Sequence, residues 1–243
     1  MSYAIHAMDL TKHFGDVKAL NGANFTVKPD EVYGLIGPNG AGKTTTLRIL
    51  STLISASSGT ATIFGIDVSK QPEKVREILS YLPEEAGAYQ MLSGREFLEF
   101  MAGFYAADKA DREAIVSEGE MISGLGERLE DRVNGYSKGM KRRLLIARAL
   151  MMKPRLAILD EPTSGLDVIQ SVHVRNMVKE YAEKKGVTIL LSSHNMLEVE
   201  FLCHRVALID QGKVVEEGPP IDLKKKYGAQ NLEEVFMEVT HSG

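Results

Sequence analysis

Gly37-Pro38-Asn39-Gly40-Ala41-Gly42-Lys43-Thr44 spaces glycines, a lysine and a hydroxyl residue as G-x-x-x-x-G-K-[ST]. Upstream, Glu31 to Ile36 reads as a short apolar strand. Downstream, Leu47, Leu50 and Ile54 recur at intervals of three and four, the period of a helix. A strand, a glycine-rich turn and a helix in that order commit the chain to an α/β layout. The turn's backbone N–H groups can wrap an anion, and the helix aims its positive end at it. Lys43 is expected to reach the β- and γ-phosphates of a nucleotide and the Thr44 hydroxyl to ligate Mg2+. Pro38, Asn39, Gly40, Ala41, Gly42 and Thr45 fall in the same expected binding wall. Average residue frequencies produce the pattern by accident in about 1% of chains of this length.

Nucleoside triphosphate chemistry also needs a carboxylate for the metal and a group that orients the attacking water. Leu156-Ala157-Ile158-Leu159-Asp160-Glu161 offers both, because a buried strand delivers Asp160 to its carboxyl end with Glu161 beside it. Strands are also expected over Tyr3 to Leu10, Gly22 to Val27, Gly59 to Gly65, Val187 to Leu191 and Val206 to Ile209. The late apolar runs, separated by helical stretches, suggest parallel strands buried on both faces. From Ser93 to Met152 the pattern is helical. Ser93-Gly94-Arg95-Glu96 has the form of a capping box, and Phe97, Phe100, Met101 and Phe104 are expected to face the core.

The composition narrows the possibilities. The 243 residues favour one domain with a large insertion, and a net charge of −4 argues against a dedicated nucleic-acid binder. Lys224-Lys225-Lys226 reads as a solvated helix end. Nothing in the sequence approaches the apolar run of about 18 residues needed to cross a bilayer, and Met1 to His6 lacks the pattern of a secretory signal. The single cysteine, Cys203, is expected to be a buried free thiol in a reducing compartment.

Beyond the phosphate loop, an ordered set of motifs resembles the nucleotide-binding subunit of ATP-binding cassette (ABC) transporters, over essentially the whole chain. Tyr136-Ser137-Lys138-Gly139-Met140 is similar to the family's signature and opens a helix expected from Lys141 to Met151. A hydroxyl and a glycine at a helix N-terminus make a second anion site. Ser164-Gly165-Leu166-Asp167 resembles the D-loop that crosses between subunits. His194, after a strand in Ser192-Ser193-His194, takes the place of the switch histidine, and Phe14 that of the aromatic that stacks on adenine.

The resemblance implies an α/β P-loop NTPase core with a mainly parallel sheet, an N-terminal antiparallel β subdomain and an inserted α-helical subdomain. The implied division is 1–86 and 153–225 for the core, 87–152 for the helical subdomain and 226–243 for a C-terminal helix. It further implies ATP and Mg2+ as cofactors, a second cassette and a transmembrane permease as partners, and a cytoplasmic place on the inner face of the membrane. Glu161 and His194 would then act with Lys43 in hydrolysis, with Thr44, Asp160 and Glu84 at the metal.

Two departures stand out. Glu84, in Tyr81-Leu82-Pro83-Glu84-Glu85, replaces the family's usual glutamine, and His204 stands where aspartate is more common, so that a local salt bridge is expected to be missing. The segment around Glu84, Lys138 and Met140 in the signature, and the terminal run Asn231 to Phe236 are similar to one exporter branch with separate ATPase and permease chains. Leu232, Val235, Phe236 and Val239 share a helical face expected to pack on the chain's own core. A non-transport ABC ATPase is the main alternative, separable by whether the chain partners a permease. A P-loop kinase leaves the motifs at Tyr136 to Met140 and Ser164 to Asp167 without a purpose.

Overall fold

The computed structural model describes residues 3–241. In chain order the elements are β1 (Ile5–Phe14), β2 (Val17–Val27), β3 (Val32–Ile36), α1 (Lys43–Leu50), β4 (Ser58–Ile63), β5 (Ile66–Asp67), α2 (Pro72–Ile78) and β6 (Leu79–Leu82). Helices α3 (Gly94–Ala102), α4 (Lys109–Ser123) and α5 (Lys138–Leu150) follow. The chain closes with β7 (Leu156–Asp160), α6 (Val168–Lys185), β8 (Thr188–Ser193), α7 (Met196–Leu202), β9 (Arg205–Asp210), β10 (Lys213–Gly218), α8 (Pro220–Tyr227) and α9 (Leu232–His241).

Two sheets organise these elements. β2-β1-β4-β5 is antiparallel, whereas β10-β9-β3-β8-β7-β6 is parallel except for the β9–β10 hairpin. Every residue of β3, β7 and β8 is buried, because side chains alternate between two cores. Tyr33, Leu35, Ile158 and Leu190 pack toward α1 and the antiparallel sheet. Ile36, Leu159, Ile189 and Leu191 pack toward the helices on the opposite face. The expected α/β class and the two-sheet layout with inserted helices are therefore present.

The capping box of α3 forms as expected. Ser93 Oγ accepts from the Glu96 N–H at 3.1 Å, and Glu96 Oε2 accepts from the Ser93 N–H at 2.7 Å. The expectation that all four apolar residues of this stretch face the core is corrected. Phe97 is buried, but Phe100 is 46% and Phe104 68% exposed, and Phe104 lies beyond the last residue of α3. Apolar period locates a face, but α3 packs mainly on α4, with lesser contacts to α5 and the turn at Gly126–Glu130, and Phe100 is left half exposed beside Tyr89 and Phe104. The signature helix is also longer than expected, because Ser137 caps it and α5 begins at Lys138.

The expectations for Cys203 as a buried thiol, for the terminal helix and for the lysine cluster hold in the structure. Cys203 is buried and unpaired, and burial pushes its thiol well above the ordinary value. Leu232 and Val235 of α9 are fully buried, with Phe236 and Val239 packed beside them on the helical-side core. The lysines of α8 lie in its last turn, where Lys224 pairs with Glu200 and Lys226 with Glu216. At His204 the imidazole Nδ1 accepts the Val32 N–H at 3.0 Å, and the local ion pairs run through Arg205 to Glu31 and Glu217.

Phe97→Ala is expected to cost about 3–5 kcal/mol in urea denaturation, and Phe104→Ala less than about 0.5 kcal/mol. Equal losses would place Phe104 in the core after all.

Candidate functional site

The phosphate loop spans the gap between β3 and α1, and its glycines are demanded by close approach. A Cβ on Gly37 would collide with the Ile209 carbonyl of β9. Gly42, at φ +109°, would bring a Cβ to 2.6 Å from the Ala19 carbonyl, and Gly40 is also left-handed at φ +82°. No side chain caps α1, and its first turn holds no acid, so its N-terminal N–H groups and positive dipole end face the cleft. Lys43, 6% exposed, donates to the carbonyls of Gly37 at 2.7 Å and Pro38 at 3.2 Å.

The carboxylates arrive on the neighbouring strand ends. Asp160 closes β7 beside Ser192 of β8, whose hydroxyl donates to Asp160 Oδ1 at 2.6 Å. Thr44 Oγ1 donates to the same oxygen at 3.3 Å, and the Tyr81 hydroxyl donates to Oδ2 at 3.4 Å. Burial raises the pKa of Asp160. The Ser192 and Thr44 hydrogen bonds oppose that shift, while the charges of Glu161 and Glu84 add to it. Burial, with Asp160 next, pushes the Tyr81 phenol up to about 12.

Glu161 sits in the left-handed region at φ +47°, an uncommon place for a residue with a side chain. Its Oε1 lies 3.5 Å from Lys43 Nζ and its Oε2 2.9 Å from His194 Nδ1. Glu84 Oε1 accepts from the Ser164 hydroxyl at 2.9 Å. The loop, Phe14, Val17, Lys18, Ala19, Glu84 and Glu161 line a common cleft of about 360 Å³. Phe14, half exposed, stands at its edge with Lys12 Nζ 5.0 Å from its ring centre.

These groups fit a metal-bound triphosphate. A cationic loop and an uncapped helix end meet the phosphates, and hard oxygen ligands gather at Asp160 and Thr44. Among the described residues no group of three or more His, Cys, Asp or Glu could hold a metal ion by itself. The Asp160 carboxylate and the Thr44 hydroxyl are donors that fit Mg2+, which binds through one or two carboxylates together with substrate phosphates.

The remaining motif residues lie elsewhere. Ser137 Oγ accepts from the Met140 N–H at 3.2 Å and so caps α5, with Lys138, Gly139 and Met140 in its first turn. Tyr136 is buried, and its hydroxyl donates to the Arg128 carbonyl at 2.6 Å. Asp167 caps α6, accepting the Gln170 N–H at 2.8 Å. All of these residues are described, and none of them lines the cleft.

A profile of the family described as "ABC transporter" matches residues 20–164. The chain belongs to the ABC transporter family. This ABC ATPase is 40% identical to the bacitracin transport ATP-binding protein BcrA of Bacillus licheniformis over 226 residues, 93% of this chain and 73% of that one. It is 36% identical over 239 residues to the linearmycin resistance ATP-binding protein LnrL of Bacillus subtilis strain 168, covering 98% of this chain and 75% of the relative. It also superposes on a dimeric ATP-binding cassette in a post-hydrolysis state with ADP and Pi. There the TM-score is 0.78 at 25% identity, over 88% of this chain and 98% of the other.

Three side chains of the ABC ATPase's site escaped sequence reasoning. Ser192 stood in the sequence only as part of the approach to His194. A hydroxyl at the end of an otherwise apolar strand was its one signal. Tyr81 lies in the Glu84 segment, and nothing local in the sequence marks it as a donor to Asp160. Arg142, buried on α5, donates to backbone carbonyls of the segments after β6 and at the end of β7 and carries no local signal in the sequence.

Ser192→Ala removes the shortest donor to Asp160 and should raise the Mg2+ concentration for half-maximal ATP hydrolysis about 10-fold. A pH effect follows from Asp160 as well. Its folded pKa is raised, so its contribution to stability is present below the ordinary carboxyl value and lost as pH rises through the folded value. In EDTA, the wild-type melting temperature should therefore fall more steeply above about pH 4 than that of Asp160→Asn. Parallel curves would contradict the burial argument.

Proposed function

We propose that this chain is the ATP-hydrolysing subunit of a membrane exporter, working as one of two cassettes paired head to tail. One observation carries the reading. Lys43, Thr44 and Glu161 line the cleft, with Asp160 bonded to Thr44 and His194 to Glu161 behind them, but the second anion site, at Ser137 and Gly139, is not part of its lining. A second cassette would supply that missing half, and the likeness to a dimeric cassette supports the pairing.

In this reading Phe14 stacks on adenine, and the backbone from Gly37 to Thr45 with Lys43 holds the phosphates. Thr44, Asp160 and Glu84 would hold Mg2+, which neutralises charge on the β- and γ-phosphate oxygens when bound. Glu161 orients the attacking water and takes its proton. His194, whose Nδ1 contacts Glu161, keeps the γ-phosphate and that carboxylate in register. Ser137 and Gly139 meet the γ-phosphate held by the partner cassette, and Asp167 fixes the crossing loop by capping α6. Phosphoryl transfer gains most from positioning and charge stabilisation, and these are what buried strand ends supply.

The working division would be a core of 1–86 and 153–225, a helical subdomain of 87–152 and a terminal helix within 226–243. The permease would seat on the apolar rim of the helical region. Tyr89, Phe100 and Phe104 form an edge-to-face ladder there, with ring centres 5.3 and 5.1 Å apart, and all three are exposed. No helix among the described residues is long and apolar enough to cross a membrane. In this reading attachment to the inner face of the membrane comes through the permease. The resistance and transport names of the relatives favour export over a non-transport ABC ATPase.

Glu161→Gln should lower ATP turnover at least about 100-fold and give an ATP-dependent dimer by light scattering. Near-normal turnover would remove Glu161 from its role, and a monomer at saturating ATP would remove the paired-cassette reading.

A further inference from the structure

Arg142 is 7% exposed and lies one turn into α5, the helix whose N-terminus carries Ser137 and Gly139. Its Nε donates to the Pro162 carbonyl at 2.8 Å. Its Nη1 donates to Pro83 at 3.3 Å and Glu84 at 3.1 Å, and its Nη2 donates to Asp160 and Glu161, both at 2.7 Å. A guanidinium has five N–H donors, so this one is spent entirely on main-chain carbonyls. The acceptors belong to two segments that have just left the sheet, one after β6 and one at the end of β7. These peptide groups have no next strand to pair with, and a buried carbonyl without a donor is costly.

The Glu161 peptide is gripped from both sides. Its N–H donates to Ser192 Oγ at 3.0 Å and its carbonyl accepts from Arg142, at a residue whose φ of +47° survives only where its surroundings over-determine it. Four carboxylates, those of Asp160, Glu84, Glu161 and Glu198, surround the buried cation and oppose the loss of charge that burial favours.

We propose that Arg142 is a positioning residue that couples the two nucleotide sites: it ties the signature helix to the backbone of Glu84 and Glu161, so that engagement of α5 by the partner's nucleotide sets the hydrolytic geometry. This inference rests on the paired-cassette reading. A helix moves as a rigid rod, and a displacement at its N-terminus reaches the five carbonyls through one planar fork. Lysine in its place keeps the charge but has three donors on a single nitrogen and cannot span both segments.

The test compares Arg142→Lys and Arg142→Gln with wild type, the glutamine variant leaving no unpaired buried charge if the lysine variant fails to fold. ATP turnover, its Hill coefficient and the affinity for a fluorescent ATP analogue are read on folded protein. Turnover should fall at least 10-fold and the Hill coefficient should drop to one, with analogue affinity within twofold of wild type. A double-mutant cycle with Ser137→Ala should be strongly non-additive in turnover. A purely structural arginine would lower only the melting temperature, and unchanged turnover and Hill coefficient, or additive effects, overturn the proposal. Hydrogen exchange on the wild type gives a reading free of variants. Saturating ATP should slow exchange in α5, at Glu84–Glu85 and at Thr163–Ser164 together, and independent responses overturn the coupling. A failed dimer of Glu161→Gln would instead remove the paired-cassette reading itself, so the two failures are distinguishable.

Discussion

β3, β7 and β8 lie side by side in parallel register, Ile36 against Ser193 and Asp160 against Ser192, and all three leave the sheet at one level. The phosphate loop, the two acids and the histidine all depend on that shared edge. Parallel pairing puts all carboxyl ends on the same side, so the loop after β3, the acids after β7 and the histidine after β8 converge without any of them being close in sequence. The pairing is stable because both faces of these strands are dry, sealed by α1 and the antiparallel sheet on one side and by the helices on the other. The apolar burial that holds the fold is thus what aims the polar groups.

Burial also sets the electrostatics. Asp160, Glu161 and Glu198 are almost wholly withdrawn from water, and the charges that answer them are Lys43, Arg142 and, at Glu198, Arg175. Glu198 accepts from the hydroxyls of Thr163 and Ser193, which oppose the upward push of burial on its pKa. The site is a cluster of acids held together by backbone-directed cations and short hydroxyl bonds, and such a cluster is receptive to further positive charge.

Much of this arrangement was legible in the sequence because it is local. A turn with fixed glycine spacing, a strand ending in Asp160-Glu161 and a serine four positions before the first long apolar face of the helical region each carry their meaning in a few neighbouring residues. β1 to β4 and β7 to β9 were legible for the same reason, although β1 and β2 run further than their alternation suggested, to Phe14 and back from Val17, because each borrows the other's hydrogen bonds; β5, β6 and β10, short or charged, gave no such signal. What could not be read is what depends on distant partners. Phe100 and Phe104 share the period of Phe97 but find no neighbour to bury them. The start of α5 is hidden in the sequence because a lysine and a glycine disguise a first turn that the Ser137 cap creates. Arg142 looks like one more basic residue on an amphipathic helix, and only the meeting of two strand ends beneath it gives it acceptors.

The backbone of Glu161 carries a last implication. A side chain held at positive φ stores roughly 1–3 kcal/mol of conformational strain, and glycine, the residue that would relieve it, has no carboxylate. The molecule therefore maintains a local instability at the point where its charge is needed. Optimising this chain for thermal robustness alone would tend to erode that turn, trading the carboxylate for a relaxed main chain.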